Sequence, residues 1–176
     1  MEIKSLLAQA ANCKTQASAG KLLLILQKEF SNSESLCNLR LSNGEAYMED
    51  TGEPFVRFDL SHVISDRYIT TIRPEICGGE LAVVVQTNHM LDAHGMSSKS
   101  WEAADGMEED VIDCNPNQSI AKVAEMAKEM ALSHHAELIE RLGVPRAVAK
   151  DAAKKSWLVQ FNDEDESVVE RATQRG

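Results

Sequence analysis

Positive charge is scarce in this chain. Eighteen Lys and Arg face 28 Asp and Glu, for a formal net charge of -10. Such a surface repels phosphate on average, which argues against generic adhesion to nucleic acid or acidic membranes. Long apolar runs are also missing. Leu22–Leu26 is the first strong one, at five residues, far short of the ~20 that a membrane-crossing helix needs. Glu2 stands where a secretory leader would carry basic residues ahead of an apolar stretch. Closely paired cysteines are absent as well. Cys13, Cys37, Cys77 and Cys114 lie 24, 40 and 37 residues apart, which matches neither a zinc knuckle nor a redox motif. A chain of 176 residues buries about 70% of the surface its unfolded form exposes, so it needs no disulfide staples. These absences predict a cytoplasmic protein that avoids membranes and keeps four reduced, mostly buried cysteines.

What is present is globular. Apolar residues make up 43% and charged residues 26% of the chain, and the length suits one domain spanning 1–176. There is no internal repeat. The charge is unevenly placed. Residues 1–40 carry five basic and three acidic side chains, 41–118 carry four and fifteen, and 119–176 carry nine and ten. The negative balance therefore belongs to the middle of the chain. Glu102, Asp105, Glu108, Glu109, Asp110 and Asp113 fall close together with no basic partner among them. Such a run is ordinarily a solvated face, because like charges repel. Its functional reading is an acidic docking surface for a basic protein.

The periodicity predicts an α+β fold with N-terminal helices, a central antiparallel sheet of four to six strands and a C-terminal helical hairpin. Ile3, Leu6, Leu7 and Ala10 recur at helical spacing, and Leu22, Leu23, Leu26 and Phe30 form a second stripe within a helical region 1–31. A break is expected at Thr15–Gly20. Residues 36–87 change period. Cys37, Leu39 and Leu41 alternate as in a strand. Asn43-Gly44 signals a hairpin with a return strand around Tyr47 and Met48. Phe55–Leu60 alternates again, Tyr68–Ile72 suits a strand that Pro74 ends, Gly78-Gly79 marks a turn, and Leu81–Gln86 is the most apolar strand, expected at the centre of the sheet. Residues 88–118 show no clean period and read as an acidic loop region anchored by Trp101 and Met107. Residues 119–160 read as a helical hairpin. Ser119 is its N-cap, an apolar stripe runs from Ile120 to Leu142, Gly143 is the stop, and Pro145 opens a second helix.

Within that hairpin, Leu138, Leu142, Gly143, Val144, Ala149 and Ala152 give residues 138–156 a pattern that resembles a helix-turn-helix DNA-binding unit. The resemblance implies a DNA-binding regulator, acting as a dimer, whose recognition helix presents Arg146, Lys150, Lys154 and Lys155 to the duplex. Ile139 departs from the pattern, since a small residue usually lets the helices approach there, and the first helix is long. An ordinary pair of helices has the same Gly-then-Pro punctuation.

Other motifs are thinner. Asp50-Thr51-Gly52 is similar to the catalytic triplet of aspartic proteases, but that chemistry needs two such carboxylates and the chain has one triplet. An acidic turn is the simpler reading. His89, Asp92 and His94 follow the strongest strand and offer imidazole and carboxylate ligands, which would suit a small metal-dependent hydrolase. His134 and His135 are adjacent on a helix and point about 100° apart. One is expected to pack and the other to face water. Asp59 and His62 are spaced to form a hydrogen-bonded pair without a third catalytic partner. No glycine-rich loop follows a strand, and no Ser or Cys sits in a nucleophile elbow. No cofactor is expected. The leading expectation is a non-catalytic regulatory protein that binds a basic or nucleic-acid-handling partner through its acidic middle, as an inhibitor filling a basic groove. Electrostatic attraction would speed the encounter and weaken with salt.

Overall fold

The computed structural model describes residues 1–63, 68–89 and 107–142. Helix α1, Ile3–Ala11, buries Ile3, Leu6 and Ala10 on one stripe. The break after it comes earlier than the small residues suggest. Thr15 is the N-cap of α2, Gln16–Ser31. Its hydroxyl accepts from the Ser18 amide at 3.1 Å, and the Ser18 hydroxyl accepts from the Thr15 amide at 3.0 Å. This capping box satisfies two donors that a helix start leaves over, so Gly20 falls inside the helix. The α2 stripe buries Leu22, Leu23, Leu26 and Phe30.

Seven strands follow: β1 Arg40–Leu41, β2 Glu45–Met48, β3 Pro54–Arg57, β4 Leu60–Val63, β5 Tyr68–Cys77, β6 Glu80–His89 and β7 Met107–Asp113. All pairings among them are antiparallel. β1 pairs with β4 and β2 with β3, while β3 and β4 pair with β5 in one shared register that sets Val56 opposite Ile76 and Leu60 opposite Ile72. β1–β2 and β3–β4 are thus two long bent ribbons. With β5, β6 and β7 they make a five-ribbon meander among the described residues, within the expected four to six, although the separate strands described number seven.

Several local expectations are corrected. Strand structure begins only at Arg40. Leu36 and Leu39 are buried while Cys37 and Leu41 are exposed, a spacing of three that comes from successive turns, with Leu36 N–H donating to Ser33 and Leu39 N–H to Leu36. Asn43-Gly44 does not close a hairpin. Ser42–Gly44 sets three residues against Phe58 and Asp59, so it is a bulge that bends the first ribbon. The hairpin closes later, at Glu49–Glu53, with Gly52 at φ 84°, so Asp50-Thr51-Gly52 is a turn between strands. Pro74 does not end β5, which continues to Cys77. Pro74 lies opposite Phe58, whose amide donates to its carbonyl at 3.4 Å. Having no N–H, it cannot return a bond, and the ladder is interrupted there between β3 and β4. Gly78 and Gly79, at φ 57° and 73°, form the β5–β6 turn as expected. β6 is interior, paired with β5 on one side and β7 on the other. Part of the stretch read as an acidic loop is β7, which lies at the edge of the sheet among the described residues.

Helix α3, Ile120–Leu142, is capped by Ser119, whose hydroxyl accepts from the Lys122 amide at 3.1 Å. The chain start is stitched to it, with Ile3 N–H donating to Gln118 and Ile120 N–H to Met1. It buries Ile120, Val123, Ala124, Ala127 and Ala131. The second helix of the expected hairpin lies outside the described residues. The helices cover the sheet face that carries Val56, Phe58, Leu60, Ile72, Ile76, Val83 and Val85, and Phe30 meets Phe58 edge to face at 6.3 Å. The opposite face carries Arg57, Asp59, Thr71, Arg73, Glu75, Val84 and Val111, and none of the described helices packs on it.

The bulge is held from the helix side. Buried Gln27 donates from Nε2 to the carbonyls of Ser42 and Asn43 at 3.0 and 3.1 Å, and Gln16 donates to Ala46 at 2.7 Å. Gln27→Leu should destabilise the protein by about 1–2 kcal/mol, the cost of leaving partly buried carbonyls without a donor. Urea unfolding should show this as a lower midpoint at unchanged slope.

Candidate functional site

The acidic residues singled out in the sequence divide between two settings. Glu102 and Asp105 lie outside the described residues. Glu108, Glu109, Asp110 and Asp113 belong to β7, which pairs only with β6 among the described residues. Strand alternation fixes where they go. Asp110 and Ile112 sit opposite Val85 and Val83, on the helix-covered side. Glu109, Val111 and Asp113 sit opposite Gln86, Val84 and Ala82, on the open side. Glu109, Asp110 and Asp113 are exposed and Val111 is 53% exposed, while Ile112 alone is anchored at 5%. With Ile112 as its buried apolar residue and acidic residues around it, the strand leaves little periodic signal in the sequence.

The open face extends this character. One cross-strand row runs Glu45, Arg57, Glu75, Ala82, Asp113, and the next runs Asp59, Arg73, Val84, Val111. The arginine in each of these two rows is already matched, while exposed Arg40 lies opposite Ser61 in a further row of the same face. Arg57 Nε meets Glu45 at 2.6 Å, and Arg73 meets Asp59 at 2.7 and 3.4 Å. The hydrogen bond to Asp59 raises the Arg73 guanidinium above its ordinary range, against desolvation, with Asp59, Glu75 and Glu109 adding negative charge nearby. An open cleft of about 190 Å³ lies at the bulge, lined by Ser42, Gly44, Glu45, Arg57, Phe58, Asp59 and Arg73. Asp59 and His62 do not meet. An odd spacing puts them on opposite faces of the ribbon, Asp59 with Arg73 and His62 beneath the helices.

A second polar cluster was not anticipated. His134 and His135 are both buried, each 3% exposed, so the expectation that one faces water is corrected. Two adjacent helical positions both reach the sheet because polar partners await each. His134 Nε2 lies 2.7 Å from Asp110 Oδ2, and His135 Nε2 lies 2.9 Å from Thr70 Oγ1, which itself is 3.0 Å from Thr87 Oγ1. His62, Thr70 and Thr87 stand side by side across β4, β5 and β6. His62 Nε2 and His134 Nδ1 are buried without a hydrogen-bond partner among the described residues. Burial lowers the His62 pKa. Burial, then the neighbouring His62 and His134, lowers that of His135 to about 3. The sequence signal was available in retrospect, since Thr70 and Thr87 occupy inward positions of otherwise aliphatic strands.

Of the residues read as a metal site, His89 ends β6, and Asp92 and His94 lie outside the described residues. Among the described residues no group of three His, Cys, Asp or Glu is placed to hold a metal ion. Arg146, Lys150, Lys154 and Lys155 also lie outside them, and only Leu138–Leu142 of the helix-turn-helix-like stretch is seen, as the end of α3. The four cysteines are free. Cys13 is buried, but Cys37 and Cys77 are exposed, which corrects the expectation of mostly buried thiols. Burial, with Asp113 beside it, pushes the Cys114 thiol up to about 11, which makes it a poor nucleophile. No described helix is long and apolar enough to cross a membrane. No family model, curated protein or solved structure matches the chain.

Proposed function

We propose that the protein is a cytoplasmic, non-catalytic binding protein that engages a basic partner through β7 and the adjoining open face of the sheet. The observation that carries this reading is the placement of Glu109, Asp110 and Asp113, with exposed Val111, along a sheet edge that is unpaired among the described residues. An unpaired edge can accept an extended segment by backbone hydrogen bonding, with side chains on alternate positions setting specificity. The carboxylates discourage pairing with a second copy of the same edge, because like charges would face each other. They favour lysine- and arginine-rich chains, at a rate that falls as salt rises. A regulator that fills the basic groove of a nucleic-acid-handling protein has this surface character.

The test is capture from native lysate with mass spectrometry, comparing the unaltered protein with the variant Glu109→Lys/Asp113→Lys. A basic partner should be retained at about 50 mM salt and released by about 500 mM, given the screening lengths at those strengths. The variant should lose retention by tenfold or more. Equal recovery by both proteins, or no basic partner at low salt, refutes the proposal.

A further inference from the structure

The two outer strands of the sheet are finished differently. On β2 the outward carbonyl of Ala46 accepts from Gln16 of α2 at 2.7 Å, and at the adjoining bulge Gln27 serves the carbonyls of Ser42 and Asn43. On β7 the parity of the ladder to β6 shows which backbone groups face outward. The Cys114 amide donates to Leu81 at 3.2 Å, and bonded positions alternate along an antiparallel pair. Residues 108, 110 and 112 therefore turn their backbone groups toward β6, and Glu109, Val111 and Asp113 turn theirs away. Among the described residues no side chain bonds those outward groups. We propose that this edge takes up an extended segment of the partner whose residues run basic, any, apolar, any, basic, with its two cations opposite Glu109 and Asp113 and its apolar residue opposite Val111. The pairing rests on the acidic docking surface inferred above and adds the local sequence which that surface selects.

An added strand sets its residues directly opposite those of β7, with every second side chain on the same face. The open-face row of β7 reads acidic, apolar, acidic, so its complement reads basic, apolar, basic in either chain direction. Glu109 and Asp113 are exposed, and no ion pair among the described residues uses them. Asp110, on the other face, is already bonded to His134 at 2.7 Å. Val111 carries the apolar part of the pattern. Carboxylates alone would suffice to keep two copies of this edge apart, and an exposed β-branched residue between them works against that. At 53% exposure it offers surface that an opposing apolar side chain covers. The same three residues hold the outward backbone groups, so one extended segment engages the hydrogen bonds, both charges and the valine together. A compact basic surface reaches the carboxylates alone.

Two labelled peptides of identical composition test this on the full chain by fluorescence anisotropy at about 50 mM salt. One has the core Lys-Thr-Val-Thr-Lys and the other Lys-Lys-Val-Thr-Thr. The first should bind roughly tenfold tighter, because the second can set only one lysine opposite a carboxylate while its valine meets Val111. Amide hydrogen exchange with the first peptide bound should slow Val111 by roughly tenfold or more relative to Ile112, whose amide already serves β6. Equal affinity of the two peptides, or binding without that protection, overturns the strand pairing and leaves the acidic docking surface standing. Binding by neither peptide overturns both. A Val111 amide already protected in the free protein would mean that another part of the chain fills the edge. Protection that grows with protein concentration would mean that a second copy does. Either result overturns the pairing with a partner.

Discussion

Replacing Gly44 with alanine should lower stability by about 3 kcal/mol, the sum of a left-handed backbone cost and an overpacking cost. Gly44 sits at φ 70°, a region that L side chains enter only with strain. Space is the second problem. A Cβ built there would lie 2.6 Å from the Arg57 carbonyl oxygen, 2.9 Å from Phe58 Cβ and 3.1 Å from Leu23 Cδ1. The first two belong to a strand backbone and to the root of a fully buried ring, so neither can swing aside. Relief requires the bulge to move, and the bulge is bonded on both sides, by Gln27 from α2 and by Ser42 with Asp59 at 2.9 and 2.8 Å. For a chain of this size about 3 kcal/mol corresponds to a fall in Tm of about 10 °C, measurable by calorimetry. Gly52→Ala is the control, because φ there is 84° but nothing lies within 4 Å of the added carbon. It should cost only the backbone share, about 1 kcal/mol. Equal losses in the two variants would mean that the close approach at Gly44 carries no weight.

The same two glycines show how far the sequence could be read. Asn43-Gly44 correctly marks a positive φ, but a left-handed residue serves a hairpin and a bulge alike. Only the partner ribbon, with two residues opposite three, decides between them. Pro74 is ambiguous for a related reason. A residue's single N–H serves the neighbour on one side only, so the missing donor interrupts the ladder to the β3–β4 ribbon at one position while pairing with β6 carries β5 on. Apolar periodicity located α1, α2, the start of α3 and β6 because those elements bury a whole stripe or face. It could not locate β7, where Ile112 is buried but Val111 is exposed and four of the seven residues are acidic. The acidic residues were legible as a cluster, and their arrangement on a sheet edge was not. The histidine cluster was least legible, since it joins positions 62, 70, 87, 134 and 135 through strand register and helix docking, neither of which leaves a local mark.

That cluster contributes its own pH dependence to the fold. His135 has its folded pKa depressed to about 3 from an ordinary 6.5, so its contribution is complete above pH 6.5 and is lost as pH falls from there toward 3. Between pH 7 and pH 5 the loss should be about 2 kcal/mol from this group alone. The direction runs against the chain's average electrostatics. Acidification from pH 7 brings a protein of net charge -10 toward its isoelectric point near 5.0, which relieves self-repulsion and should stabilise it. A fall in stability across this interval therefore points to buried groups that must stay neutral. His135→Leu separates the two effects. At pH 7 the variant should be weaker by about 1 kcal/mol or more, through loss of the hydrogen bond to Thr70, although Thr70 keeps Thr87 as a partner at 3.0 Å. At pH 5 it should match or exceed the unaltered protein, because leucine has no proton to refuse. Urea unfolding at the two pH values reads this as stability curves that cross. Parallel curves would show that His135 is already charged in the folded protein, and with that the buried cluster would lose its claim on the acid response.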